Sequence, residues 1–348
     1  MVGDRRPQLP IAVSMGDPAG IGPEITLEAW HLRGLRELPT FCVFTDADML
    51  RERAAAFSGA DRIAVIANPK EAIAVFADAL PVVHVPLRAT CIPGQPDKAN
   101  ASAVLSSIEQ CVQAIFDGRA SALTTNPIAK SVLYETGFKY PGHTEYLAAL
   151  AELHNPEYKC RPVMMLACDD LRVVPATIHI PLAEVSEALR QDLLEETIEI
   201  TYRGLQENFA IDAPRIAVSG LNPHAGEAGA LGREEIDIIK PALKRLRARG
   251  WSISGPLPAD TMFHARARER YDAAVAMYHD QALVPLKTLA FDEGVNATLG
   301  LPFVRTSPDH GTAFDIAGLG VASPESFIQA LLMASRMAEC RARQGQGI

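Results

Sequence analysis

The sequence has no apolar run that approaches the roughly 18 residues a membrane helix requires, which excludes a helical bilayer span. After Asp4, Arg5, Arg6 and Pro7 only residues 9–13 are continuously apolar, too short a stretch for a secretory signal, so a cytoplasmic location is expected. The six cysteines (Cys42, Cys91, Cys111, Cys160, Cys168 and Cys340) contain no C-x-x-C pair. That spacing argues against a disulfide framework and a thiolate zinc site, and makes buried reduced thiols the default. Basic residues are also in deficit: 33 Lys and Arg face 42 Asp and Glu, a net charge of −9. A nucleic-acid binder held by a broad positive field is therefore excluded, and an anionic ligand must be met by a few local cations. No internal repeat, low-complexity tract or linker is present, because the 25 prolines and 24 glycines are dispersed among turns.

With 348 residues, the chain exceeds one ordinary domain, and 48% hydrophobic content can fill a sizeable core. Apolar runs at 11–14, 41–45, 63–66, 82–85, 122–125, 163–167, 173–180, 215–219 and 273–278 read as strands covered on both faces. A helix opens at Pro23, where the missing N–H costs nothing. Helical patterns at 101–116, 192–208, 233–249 and 324–340 are long enough for crossovers. The fold class is α/β, a mixed, largely parallel sheet with flanking helices. If the middle of the chain is an inserted domain, the borders fall near Thr125 to Pro127 and near Pro302. The division is then 1–126 plus 303–348 for a first α/β domain and 127–302 for a second.

The unusual residues cluster in turns after strands, where α/β proteins place their chemistry. The run Met15-Gly16-Asp17-Pro18-Ala19-Gly20-Ile21-Gly22-Pro23-Glu24 permits close backbone approach and offers a helix start to an anion, yet fits neither G-x-G-x-x-G nor the P-loop. A plain strand-to-helix turn explains it as well. In Gly142-His143-Thr144-Glu145, Thr144 reads as an N-cap and His143 adds a donor suited to phosphate or carboxylate. His179, His224 and His279 each close an apolar strand. Three neutral imidazoles with a vacant fourth position make a catalytic metal site, although histidines this far apart are often ordinary surface or core residues. Lys287 and Arg305 sit among apolar and turn residues, as cations in a cleft do, though salt bridges within the fold explain them equally.

These runs, with Leu221-Asn222-Pro223-His224-Ala225-Gly226-Glu227, Pro258-Ala259-Asp260-Thr261, Tyr278-His279-Asp280-Gln281 and Arg305-Thr306-Ser307-Pro308-Asp309-His310-Gly311-Thr312-Ala313, occur in order along most of the chain. Together they resemble the 4-hydroxythreonine-4-phosphate dehydrogenase family of vitamin B6 biosynthesis. The resemblance implies an isocitrate/isopropylmalate dehydrogenase-like fold and a homodimer, with an active site in the cleft between domains that includes partner residues. It implies a divalent metal, zinc foremost with magnesium or cobalt as alternatives, held by His179, His224 and His279. Those histidines and Lys287 become the catalytic candidates, and His143, Thr144, Lys287, Asn296 and Arg305 the substrate contacts. Asp260, Asp280 and Asp309 receive no catalytic role beyond support for the histidines.

The implied reaction oxidises the secondary hydroxyl of 4-phosphooxy-L-threonine with NAD or NADP and releases carbon dioxide to give 3-amino-2-oxopropyl phosphate. No membrane or nucleic-acid partner is implied. A relative acting on threonate or erythronate 4-phosphate, or on a dihydrodiol carboxylate, is the alternative within the family. A non-redox acyl phosphate transferase is the alternative of another class.

Overall fold

The computed structural model describes residues 9–55, 62–159 and 161–345; residues 4–7 and Cys160, read above, lie outside them. Ahead of residue 160 the apolar runs form β1 (Ile11–Ser14), β2 (Phe41–Thr45), β3 (Ile63–Ile66), β4 (Leu80–His84) and β5 (Ala122–Thr125). Then follow β6 (Val163–Cys168), β7 (Leu171–Pro175), β8 (Arg215–Ser219), β9 (Ser252–Leu257), β10 (Ala273–Ala276), β11 (Val295–Leu299) and β12 (Arg305–Pro308). The chain divides into two compact units, Met1–Pro162 with Leu301–Ile348, and Val163–Gly300.

In the first unit the strand order is β3-β4-β2-β1-β5-β12, every pairing parallel. Successive side chains point to opposite faces, so both faces need cover. Ala12, Cys42 and Leu123 pack in one cluster with Val104, Ile108 and Cys111 of the helix Ala101–Phe116. Phe41 points the other way and meets Phe327 of the helix Glu325–Arg343 edge-on at 6.4 Å. Each ring is wholly buried, stabilising the fold by about 1.5–3 kcal/mol relative to exposure. The helix His143–His154 joins the first cluster through Tyr146, Leu147, Leu150 and Ala151. Leu133, Tyr146, Leu147, Leu150 and Ala151 therefore belong to the first unit, whereas a border near Thr125 to Pro127 places them in the second domain.

The second unit has the order β11-β6-β7-β10-β8-β9. β11, β6 and β7 pair antiparallel, and β7, β10, β8 and β9 run parallel. Ala282 and Leu286 of the helix His279–Leu289 cover one face against Leu166, Val173 and Ala274. The helix Gln191–Phe209 covers β11 through Gly204, where an added Cβ would stand 3.0 Å from the Leu299 methyls.

Four local readings differ from expectation. β9, β11 and β12 are unpredicted strands: Gly-Pro interrupts the first, Asn the second, and Arg-Thr-Ser-Pro carries no apolar signal although all of β12 is buried. The run 173–180 leaves the sheet at Pro175, and Thr177 Oγ1 then donates to Met277 O at 2.8 Å. The run 233–249 splits into a π-turn at Glu235–Ile239 and a helix at Lys240–Arg247. Pro241 has no N–H for the Asp237 carbonyl, which accepts instead from Gln191 Nε2 at 3.1 Å. Thr144 is not an N-cap: Gly142 takes that place and no side chain caps the helix.

Among the described residues no helix is long and apolar enough to cross a membrane. The five described cysteines are unpaired, and complete burial pushes the Cys42 thiol up to about 12, leaving it inert.

Candidate active site

In the second unit, three adjacent parallel strands end at one edge, and each is followed by a histidine. β7 leads to His179, β10 to His279 and β8 to His224. Register explains the first pairing. Ala276 lies opposite Pro175, and beyond β7 the Ala176 N–H still donates to Ala276 O at 2.8 Å. Segments advancing in step bring the His179 and His279 rings to a centroid separation of 5.8 Å. They line a concavity of about 310 Å³ with Thr177, Leu182, Tyr278 and Asp280.

His279 is the first residue of its helix, and its Nδ1 lies 2.7 Å from Asp280 Oδ1. A carboxylate only accepts, so Nδ1 is the donor of this bond and the ring is oriented by it. His179 has φ +49°, a left-handed conformation costing a non-glycine residue on the order of 1–3 kcal/mol. His224 begins a longer left-handed turn: residues 224–228 all have positive φ, four of the five being non-glycine. Buried Glu235 holds this turn by accepting from Asn222 N at 2.7 Å and Asn222 Nδ2 at 3.0 Å. Glu235 gave no sequence signal, because an isolated acidic residue in a charged run reads as solvated.

The structure thus brings two imidazoles together, and no group of three His, Cys, Asp or Glu side chains that could hold a metal is assembled among the described residues. The donor chemistry of the pair suits a divalent ion, since two imidazoles on one tetrahedral zinc stand roughly 5–6 Å apart between centroids. His224 shares their edge and not their cluster. Lys287 lies about 12 Å along the helix from His279, its Nζ 5.2 Å from the centroid of the Phe291 ring. Asn296, on β11 opposite Leu166, buries its Oδ1 with no hydrogen-bond partner among the described residues.

The first unit gathers the other candidates. Arg305 opens β12, is 3% exposed, and donates from Nη2 to Thr125 Oγ1 at 2.7 Å. Burial pulls its guanidinium down to about 10, with Glu145 opposing that shift. His143 is the first residue of its helix, and its buried Nε2 makes no hydrogen bond among the described residues. Burial first, then the Arg305 and Lys130 cations, holds the imidazole well below its ordinary value and therefore neutral. Lys130 packs over Gly142, where an added Cβ would stand 3.3 Å from its Nζ. Thr125 and Lys130 were missed in the sequence; only the turn after β5 hinted at them.

The glycine run after β1 is closed rather than open to an anion. The Asp17 N–H donates to Pro127 O at 2.8 Å, Ala19 N to Asp17 Oδ1 at 3.0 Å, and Ile21 N to Thr312 O at 3.0 Å. Gly16, at φ +72°, packs so tightly that a Cβ would stand 2.6 Å from Asn126 Cβ. Behind the loop, buried Arg53 and Glu24 pair at 2.7 Å.

Comparison with known proteins shows the class to which this α/β chain, with its imidazole edge in one unit and its buried Arg305 in the other, belongs. Residues 37–334 match the family described as pyridoxal phosphate biosynthetic protein PdxA, and the chain belongs to that family. A 4-hydroxythreonine-4-phosphate dehydrogenase of Methylorubrum populi is 54% identical over 332 residues, covering 95% of each chain. The crystal structure of a 4-hydroxythreonine-4-phosphate dehydrogenase from Klebsiella pneumoniae superposes with a TM-score of 0.83 at 38% identity, covering 95% of this chain and 100% of that one. A terephthalate 1,2-cis-dihydrodiol dehydrogenase from Burkholderia xenovorans is more distant, with a TM-score of 0.63 at 28% identity over 94% of this chain and 98% of that one.

Proposed function

We propose that the protein oxidises the secondary hydroxyl of 4-phosphooxy-L-threonine with NAD or NADP as acceptor, and that the product loses carbon dioxide to give 3-amino-2-oxopropyl phosphate for pyridoxal 5'-phosphate synthesis. The observation that carries this reading is identity of 54%, over nearly all of the chain, to a relative named for that substrate. In this reading His179, His224 and His279 hold a divalent ion, zinc foremost with magnesium or cobalt as alternatives; the paired rings at 5.8 Å support it. When bound, such an ion supplies Lewis acidity toward the substrate hydroxyl and the carbonyl that replaces it.

The chain's own residues bind and orient. Arg305, His143 and Thr144 take an anionic end of the substrate, supported by a guanidinium already desolvated and fixed on Thr125. His143 acts there as a neutral hydrogen-bonding group. Lys287 is assigned to the other anionic end, and Asn296 offers its buried Oδ1 to a substrate donor. Asp280 orients the His279 ring.

The functional unit is a homodimer with a shared active site, supported by exposed Leu182 in the histidine concavity and by exposed Val284 and Phe291 on and just after the His279 helix. Steady-state turnover of 4-phosphooxy-L-threonine, read at the reduced-nicotinamide band before and after chelation, tests the whole reading. Turnover of a cis-dihydrodiol carboxylate in its place would transfer the chain to the chemistry named for the more distant relative.

A further inference from the structure

We propose that Gln281 is a positioning residue whose amide locks the His224 turn and the His279 helix to the strand ends that carry them. It rests on the reading that these histidines serve an ion. Gln281 lies in the first turn of the helix His279–Leu289. Its Oε1 accepts from Ser219 Oγ at 2.7 Å and from Met277 N at 2.7 Å, while its Nε2 donates to Gly220 O at 2.9 Å. A backbone N–H at one end and a backbone carbonyl at the other leave one possible orientation, since a flipped amide would set like against like at both.

Ser219 closes β8, and Met277 follows β10, the adjacent parallel strand. One side chain therefore fastens two neighbouring strand exits. Gly220 leads into Asn222, which buried Glu235 holds, and then directly into His224. Met277 also accepts from Thr177 Oγ1 at 2.8 Å, just ahead of His179. His224 and His279 thus lie a few residues from groups that Gln281 binds, and His179 is reached one step further, through Thr177 and Met277. The residue carries no charge and does not line the histidine concavity, so its effect runs through the rings it places.

Replacement tests the geometry. Gln281→Met keeps the length and removes all three hydrogen bonds, and Ser219→Ala removes one. The full-length chain is stripped with a chelator, dialysed, and titrated with Co²⁺; calorimetric affinity and the visible cobalt band are recorded beside the melting temperature of the metal-free protein. Gln281→Met is expected to weaken Co²⁺ binding about 10- to 100-fold, the range for residues that support metal ligands, and to alter the band. Ser219→Ala is expected between Gln281→Met and the wild type. Wild-type Co²⁺ affinity and spectrum in Gln281→Met, whatever its melting temperature, overturn the proposal. Should that variant not fold, wild-type affinity and spectrum in Ser219→Ala overturn it instead. His224→Ala and His279→Ala separate the two levels: if both bind Co²⁺ as the wild type does, the ion-site reading fails and this proposal with it. If both lose the ion while Gln281→Met keeps it, only the role of Gln281 fails.

Discussion

The two units build polar sites in opposite ways. In the first, Arg305 lies inside a strand, 3% exposed, and Thr125 holds it from the neighbouring strand. In the second, the histidines lie beyond the strands, two of them on backbone that non-glycine residues rarely adopt. A desolvated cation is costly to bury and is best fixed by regular structure that cannot relax. Exposed or half-exposed imidazoles such as these pay little for desolvation and need a particular direction, which irregular backbone supplies at the expense of strain. Under the proposed function, charge recognition then falls to a rigid ladder and donor direction to turns.

Removing the cation tests the ladder side and has the largest expected effect. Arg305→Ala should cost about 2–5 kcal/mol of substrate binding, some thirty-fold or more in kcat/KM. An unchanged kcat/KM with 4-phosphooxy-L-threonine would remove Arg305 from the site. On the turn side, Asp280→Asn should weaken divalent-metal affinity about 10- to 100-fold by loosening the His279 ring, as titration of the chelated protein reads. Gly226→Ala sharpens the strain argument. Gly226 has φ +77° and a Cβ would collide with the Glu235 carboxylate, so about 1–3 kcal/mol of stability should be lost in urea unfolding. A loss no greater than an ordinary surface substitution would show that the turn is not held by Glu235.

The smallest effect is a pH dependence. Burial lowers the His143 value below its ordinary 6.5, so as pH falls the unfolded chain binds a proton that the folded chain refuses. This contribution is complete above about 6.5 and is lost as pH drops through that value toward the folded one. His143→Gln should flatten the slope of the urea midpoint over that window. An identical slope in the variant would mean that folding leaves the His143 value where it stands in the unfolded chain.

Much of the first unit was legible because parallel strands covered on both faces are plain apolar runs, and β1, β2 and β5 follow them. β12 was hidden because its residues are polar: Arg305 and Thr306 make hydrogen bonds inside the sheet. His179 and His279 were legible as residues following strands, and their approach depends on the pairing of β7 with β10, two strands about one hundred residues apart. The left-handed turn at 224–228 had no signal, since His, Ala and Glu do not announce positive φ. Lys287 reads as a cation in a cleft, but the helical rise carries it two turns from His279.

The step-by-step match of Val173, Val174 and Pro175 with Ala274, Val275 and Ala276 makes the histidine pair a gauge of strand alignment. A slip of one residue would turn one side chain of every matched pair to the opposite face and part the rings. Any ligand that requires both rings binds only the correctly aligned chain, so by mass action it draws the population toward that alignment, by about 2.7 kcal/mol at a hundredfold excess over Kd. Such a ligand would act as a proofreader of the sheet.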